Sequence, residues 1–168
     1  RLYKRMKLFT HLESAAETDN LQDGDLTVFI RLGADYNLNY YEYEIPMDVT
    51  PWGSSDPNDV WPQANRFDFP LDILKEVKLE RNRVYNQTGS PISDPFTRPR
   101  LNGNVTVVGQ PNLGNVRTVL IGVRNPKKRL AGDGYDGLTK SAEVWINELR
   151  LTEFDQKGGW AANARVAA

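Results

Sequence analysis

The sequence predicts a mostly β chain folded as a two-sheet antiparallel sandwich of jelly-roll type with one short helix. Three observations carry this. Apolar and polar residues alternate with period two over 25–32, 105–108, 117–124 and 142–151, as half-buried strands require. Helical three- and four-residue spacing appears only over 70–80. Long connections rich in proline, glycine and polar residues join the strands.

Taken in order, Met6, Leu8, Thr10 and Leu12 alternate with Lys7, Phe9, His11 and Glu13 to make a first strand. Residues 14–24 are a polar connection ending in the turn signal Asp23-Gly24. Leu26, Val28, Ile30 and Leu32 then face one way against Thr27, Phe29 and Arg31. The next alternation, Tyr41, Tyr43, Ile45 and Met47, is the expected partner of 25–32. Five prolines between 46 and 70 argue against continuous sheet or helix there, so that stretch reads as a long loop.

Pro70 suits a first helical turn, and Leu71, Leu74 and Val77 recur on one face, so 70–80 is the helix, with 81–86 helical or already strand. Residues 87–103 read as loop. The segment 117–124 is apolar on both faces, which predicts a central, doubly covered strand. Residues 126–140 read as a surface loop. Within 142–151 the phase slips once: Val144 and Ile146 share one parity, and Trp145, Leu149 and Leu151 the other. Asn147-Glu148 is therefore the site of a β-bulge or of a change of buried face. After Gly158-Gly159, the residues Trp160, Ala162, Ala164 and Val166 alternate again. This suggests a domain over 1–155 and a tail over 156–168, expected to be cut from something larger.

Composition limits the function classes. The chain has 168 residues, with 21 basic and 22 acidic side chains, so no net field attracts nucleic acid or an anionic membrane. It has no cysteine and one histidine, His11, which rules out disulfides, thiolate metal sites and a histidine-rich zinc site. No run approaches the roughly 20 apolar residues of a membrane helix.

Few residues offer chemistry. Asp133 and Asp136, separated by Gly134 and Tyr135 in DGYDG, are candidate oxygen ligands for a structural Ca²⁺, against the alternative of a solvated Asp-Gly turn. Glu42 and Glu44 lie two apart on one strand face, where a solvated ladder is the commoner reading than a glycosidase pair. His11 has no nucleophile elbow near it, and GQPNLGN lacks the lysine of a phosphate loop. The expectation is a protein that is not an enzyme. Aromatic residues are denser than chemistry: eight fall between Tyr36 and Phe69. Trp52 and Trp61, with Tyr36 and Tyr40, are the candidate interaction residues, able to stack on a glycan or anchor a protein contact.

The run EVWINELRLTEFDQKGGWAANARV resembles a segment of the SprA/Sov-like family, the outer-membrane translocons of the Bacteroidota type IX secretion system. The stretches 24–47, 69–85 and 109–128 resemble the same family. The resemblance implies a non-enzymatic structural and interaction domain of a giant secretion channel involved in gliding motility. It further implies that the rest of the parent barrel and secretion-system proteins are the partners, in a soluble periplasmic or extracellular part of an outer-membrane, cell-surface protein, with 156–168 leading into a barrel strand. The alternative is a cell-surface carbohydrate-binding module, because Trp145 to Leu151 is similar to the last strand of such galactose-binding-like jelly rolls. In that comparison the acidic pair stands as Asn147-Glu148, and these two with Glu13 form a second candidate Ca²⁺ cage where first and last strands meet.

Overall fold

The structure is a computed structural model and describes residues 3–127 and 134–154. Two antiparallel sheets face each other across one core. The smaller runs β4 (Arg66–Pro70), β1 (Tyr3–Ser14), β8 (Ala142–Phe154); the larger runs β5 (Phe96–Arg100), β6 (Gly103–Val108), β3 (Tyr40–Pro46), β2 (Thr27–Gly33), β7 (Thr118–Arg124). The two-sheet sandwich expected from the alternation is the observed architecture. First and last strands are neighbours, with Leu12 opposite Val144 and Thr10 opposite Ile146. The hairpin expected between the second and third strands is also present, with Ile30 opposite Tyr43.

The core follows from parity. Met6, Leu8 and Leu12 of β1, Phe67 and Phe69 of β4, Val28 and Ile30 of β2, and Tyr43 and Ile45 of β3 are all buried in one cluster. Across the two sheets, the Tyr43 ring meets Phe67 edge-on at 5.7 Å and Phe69 at 4.5 Å. Side chains of this size contribute roughly 1.5–3 kcal/mol each on full burial, so this trio forms a major part of the sandwich centre.

The helix α2 spans Asp72–Thr88, longer than the 70–80 that the apolar spacing indicates. Its buried face runs Ile73, Leu74, Val77 and Arg81, with Val84 and Tyr85 packed on the core beyond. An arginine at the fourth position of that stripe hides the period from a hydrophobicity reading. Gly89, with φ 73°, ends the helix and donates its amide to the Tyr85 carbonyl, the left-handed closure that glycine makes without penalty. The helix packs against β6, β5 and β3 of the larger sheet. A second helix, α1 (Pro57–Val60), is a single turn capped by Asp56.

Three expectations are corrected. Residues 66–70 and 96–100 are strands, not loop. Their prolines, Pro70 and Pro99, sit on strands at the edge of each sheet, where a missing N–H costs no ladder bond. The segment 117–124 is not central: β7 is the edge of the larger sheet, and its inner residues Val119 and Val123 are half exposed.

The phase slip in β8 is a bulge. Lys7 faces Arg150 and Phe9 faces Asn147, so the single residue Leu8 opposes both Leu149 and Glu148, and Glu148 takes φ 57°. The inserted residue reverses parity. Val144, Ile146, Leu149 and Leu151 consequently all point inward, although their sequence spacing places them on opposite faces.

Candidate functional site

On the outer face of the larger sheet the alternation that buries Tyr43 and Ile45 turns Glu42 and Glu44 outward. Arg31 lies directly opposite Glu42 and grips one carboxylate oxygen twice, Nε at 2.9 Å and Nη2 at 2.6 Å. Arg124, reaching from β7, donates Nη2 to the other oxygen at 3.0 Å and Nη1 to Glu44. The Thr27 hydroxyl donates to Glu44 at 2.5 Å. The guanidiniums are themselves stacked, Arg31 on Tyr40 at 3.8 Å and Arg124 on Phe29 at 4.5 Å. Burial pushes the Arg124 pKa down, but the charges of Glu42 and Glu44 outweigh it and hold it above the ordinary value. Glu42 is only 4% exposed. Both carboxylates are ionic partners of fixed cations, a cross-strand lattice rather than an acid and a base facing a substrate cleft.

The outer face of the smaller sheet carries His11, 2% exposed. Its Nδ1 lies 2.8 Å from the Val60 carbonyl, which only accepts, so this nitrogen carries a proton. The Thr50 hydroxyl is 3.0 Å from the same atom and itself donates to the Asp59 carbonyl. Trp61 at 6.0 Å and Trp145 at 4.9 Å flank the ring. Nε2 is 3.7 Å from Glu13. The histidine thus ties the proline-rich 50–61 crossing to β1. Phe9, Trp61, Arg66, Asn147 and Glu148 border a shallow groove of about 310 Å³ beside it.

Of the four aromatic candidates, Trp52 and Tyr36 are exposed, Trp61 packs on Phe9 and His11, and Tyr40 lies beneath Arg31. They do not converge on one site. Trp145, which carries no role in the sequence reading, is the residue that covers His11. The signal was its shared parity with Asn147 on the outward face.

The metal candidates are dispersed. Asp136 bonds Lys140 Nζ at 2.6 Å and accepts the Leu138 amide, and Lys140 also reaches Asp25 at 2.8 Å. The Lys140 hydrogen bond, followed by the Leu138 amide, holds the Asp136 pKa below the usual carboxylate value. An ammonium occupies the place a cation would take. Asp133 lies outside the described residues. Glu13 faces Glu143, whereas Asn147 faces Phe9 four residues back along β1, roughly 13 Å away at strand rise. Glu148 pairs with Arg150 at 2.6 Å. Among the described residues no group of three or more such ligands is placed to hold a metal.

One further feature is apolar. Where β7 and β8 end the two sheets, Leu151 and Val119 line a groove of about 370 Å³ that runs inward to Met6 and Leu32. No described helix is long and apolar enough to cross a membrane.

A family model described as motility related/secretion protein covers residues 1–168. No curated protein matches the sequence.

Proposed function

Because the chain belongs to the SprA_N family of motility-related secretion proteins, we propose that it serves as a structural and interaction domain of an outer-membrane protein-secretion channel of the type IX kind. The family match along the whole chain carries this reading. The geometry supports it from a second direction. The groups that an enzyme would deploy, Glu42, Glu44 and His11, are committed to holding strands and a crossing loop together. What the domain offers outward is contact surface: exposed Trp52 and Tyr36, and the half-open apolar edge between β7 and β8.

In this reading the partners are other segments of the channel protein and components of the secretion machinery, and the domain stands in a part of the envelope protein outside the bilayer. The proposal is tested by incubating the purified chain with a polysaccharide panel. It predicts no turnover. Turnover that disappears in Glu42→Gln, with the fold intact by circular dichroism, overturns it.

A further inference from the structure

Strand parity turns Arg5, Lys7 and Phe9 of β1, Arg66 and Asp68 of β4, and Asn147 and Arg150 of β8 to the outer face of the smaller sheet. Phe9, Trp61 and Asn147 border one groove there, of about 310 Å³. Arg5, Gln63 and Asp68 border another, of about 450 Å³. Arg66 lines both, so the two adjoin.

We propose that these adjoining grooves bind an acidic glycan, with one sugar ring against Phe9 and Trp61 and a uronate carboxylate among the arginines. The inference goes beyond the secretion role proposed above and does not rest on it. Three observations select this ligand. The first is an aromatic wall beside free amides. Trp61 meets Phe9 edge-on at 6.4 Å, and Arg66 lies over the Phe9 ring at 5.4 Å while donating Nη2 to the Trp61 carbonyl at 3.0 Å. The wall is thereby fixed, and it stays partly open to solvent. Among the described residues the side-chain amides of Gln63 and Asn147 make no hydrogen bond. An amide supplies a donor and an acceptor together, which suits neighbouring sugar hydroxyls.

The second observation is charge. Arg5 and Lys7 share the single carboxylate of Asp68, with Arg66 one alternation away on β4. Lys7 also stands directly across from Arg150, whose guanidinium pairs with Glu148 at 2.6 Å. Like charges opposite one another weaken a sheet, and an added carboxylate relieves them. The third observation is the backbone. β1 is the central strand, paired with β4 over Arg5–Phe9 on one side and with β8 on the other. An extended peptide gains its hydrogen bonds at a free sheet edge, and this face has none to give. A ligand here is held by side chains alone, which favours a polyol over an acidic peptide.

Calorimetric titration of the 168-residue chain with oligogalacturonate, cellotetraose and oligoglutamate tests the proposal. Oligogalacturonate should bind, and more weakly as salt is raised. Cellotetraose should bind roughly tenfold less tightly, the loss of one charge-assisted hydrogen bond, and oligoglutamate should give no heat. Gln63→Ala and Asn147→Ala change exposed side chains, so each should weaken uronate binding while leaving the melting temperature unchanged. Arg66→Gln should erase the preference for uronate over the neutral sugar. Absence of uronate binding, equal binding of cellotetraose or of oligoglutamate, or uronate binding that survives all these substitutions overturns the proposal.

Discussion

Glu148 stands across from Leu8 with a φ of 57°, and the extra residue it inserts into β8 brings Leu149 and Leu151 onto the face already held by Val144 and Ile146. Two halves of one strand with opposite sequence parity thereby turn the same side inward. A left-handed conformation at a residue with a Cβ costs roughly 1–2 kcal/mol, part of which glycine would return as chain entropy. Glu148→Gly should therefore stabilise the protein by up to about 1 kcal/mol. Deleting Glu148 should destabilise it by about 2 kcal/mol, since one half of β8 must then turn its leucines outward. Urea denaturation of both variants measures the difference.

The sandwich was legible because β1, β2 and β3 bury one face each, so composition writes the period directly: Val28, Ile30 and Leu32 against Phe29 and Arg31 is an example. Strands that carry a proline were hidden, since Pro70 and Pro99 are tolerated only by virtue of edge position, a property of the sheet and not of the segment. The end of α2 was hidden by Arg81, whose burial depends on carbonyls 11 and 28 residues away. Apolarity on both sides of β7 suggested a central strand, but the outer side is occupied locally, with the Phe29 ring crossing Gly122. The functional side was legible only as a family likeness. Charge pairing of Glu42 with Arg31 and Arg124 depends on which strands are neighbours, and no single segment states that.

Arg81 is fully buried, donating Nη1 to the Gly109 carbonyl at 2.6 Å and to the Ile92 carbonyl at 3.3 Å. Charge-assisted bonds of this kind contribute roughly 1.5–3 kcal/mol each. Arg81→Met, which keeps the apolar stem, should cost about 3 kcal/mol by releasing α2 from the 92 and 109 turns. Arg81→Lys should recover only part, because an ammonium lacks the planar fork. Thermal melts of the two variants check the order.

Acid should loosen the fold in a defined window. Arg98 first, then Arg100, holds the Glu80 carboxyl below its usual range and ties α2 to β5. The Asn39 side chain and the amides of Leu38, Asn37 and Asn39 do the same for Asp35 in the turn between β2 and β3. A carboxylate with a depressed folded pKa adds stability above its unfolded value, about 4, and loses it as pH falls toward the folded one. Asp48, raised by burial and by Asp23, acts in the opposite sense. The melting temperature should hold above about pH 5 and fall steadily below pH 4, and Glu80→Gln with Asp35→Asn should flatten that decline.

Gly122 faces the Phe29 ring so closely that an added Cβ would meet its Cζ at 2.5 Å. Gly122→Ala must displace the ring from beneath Arg124, and overpacking of this order costs about 1–3 kcal/mol. A double-mutant cycle with Phe29→Leu should recover most of the loss.

The central claim is that the domain works in secretion through its fold and its surfaces. The most direct measurement deletes residues 3–154 from the protein in its own cells and follows cargo release into the medium and spreading on a surface. The proposed role as a structural and interaction domain of an outer-membrane channel predicts that both are lost while the rest of that channel protein still accumulates. Cells that secrete and spread normally without these residues would contradict it.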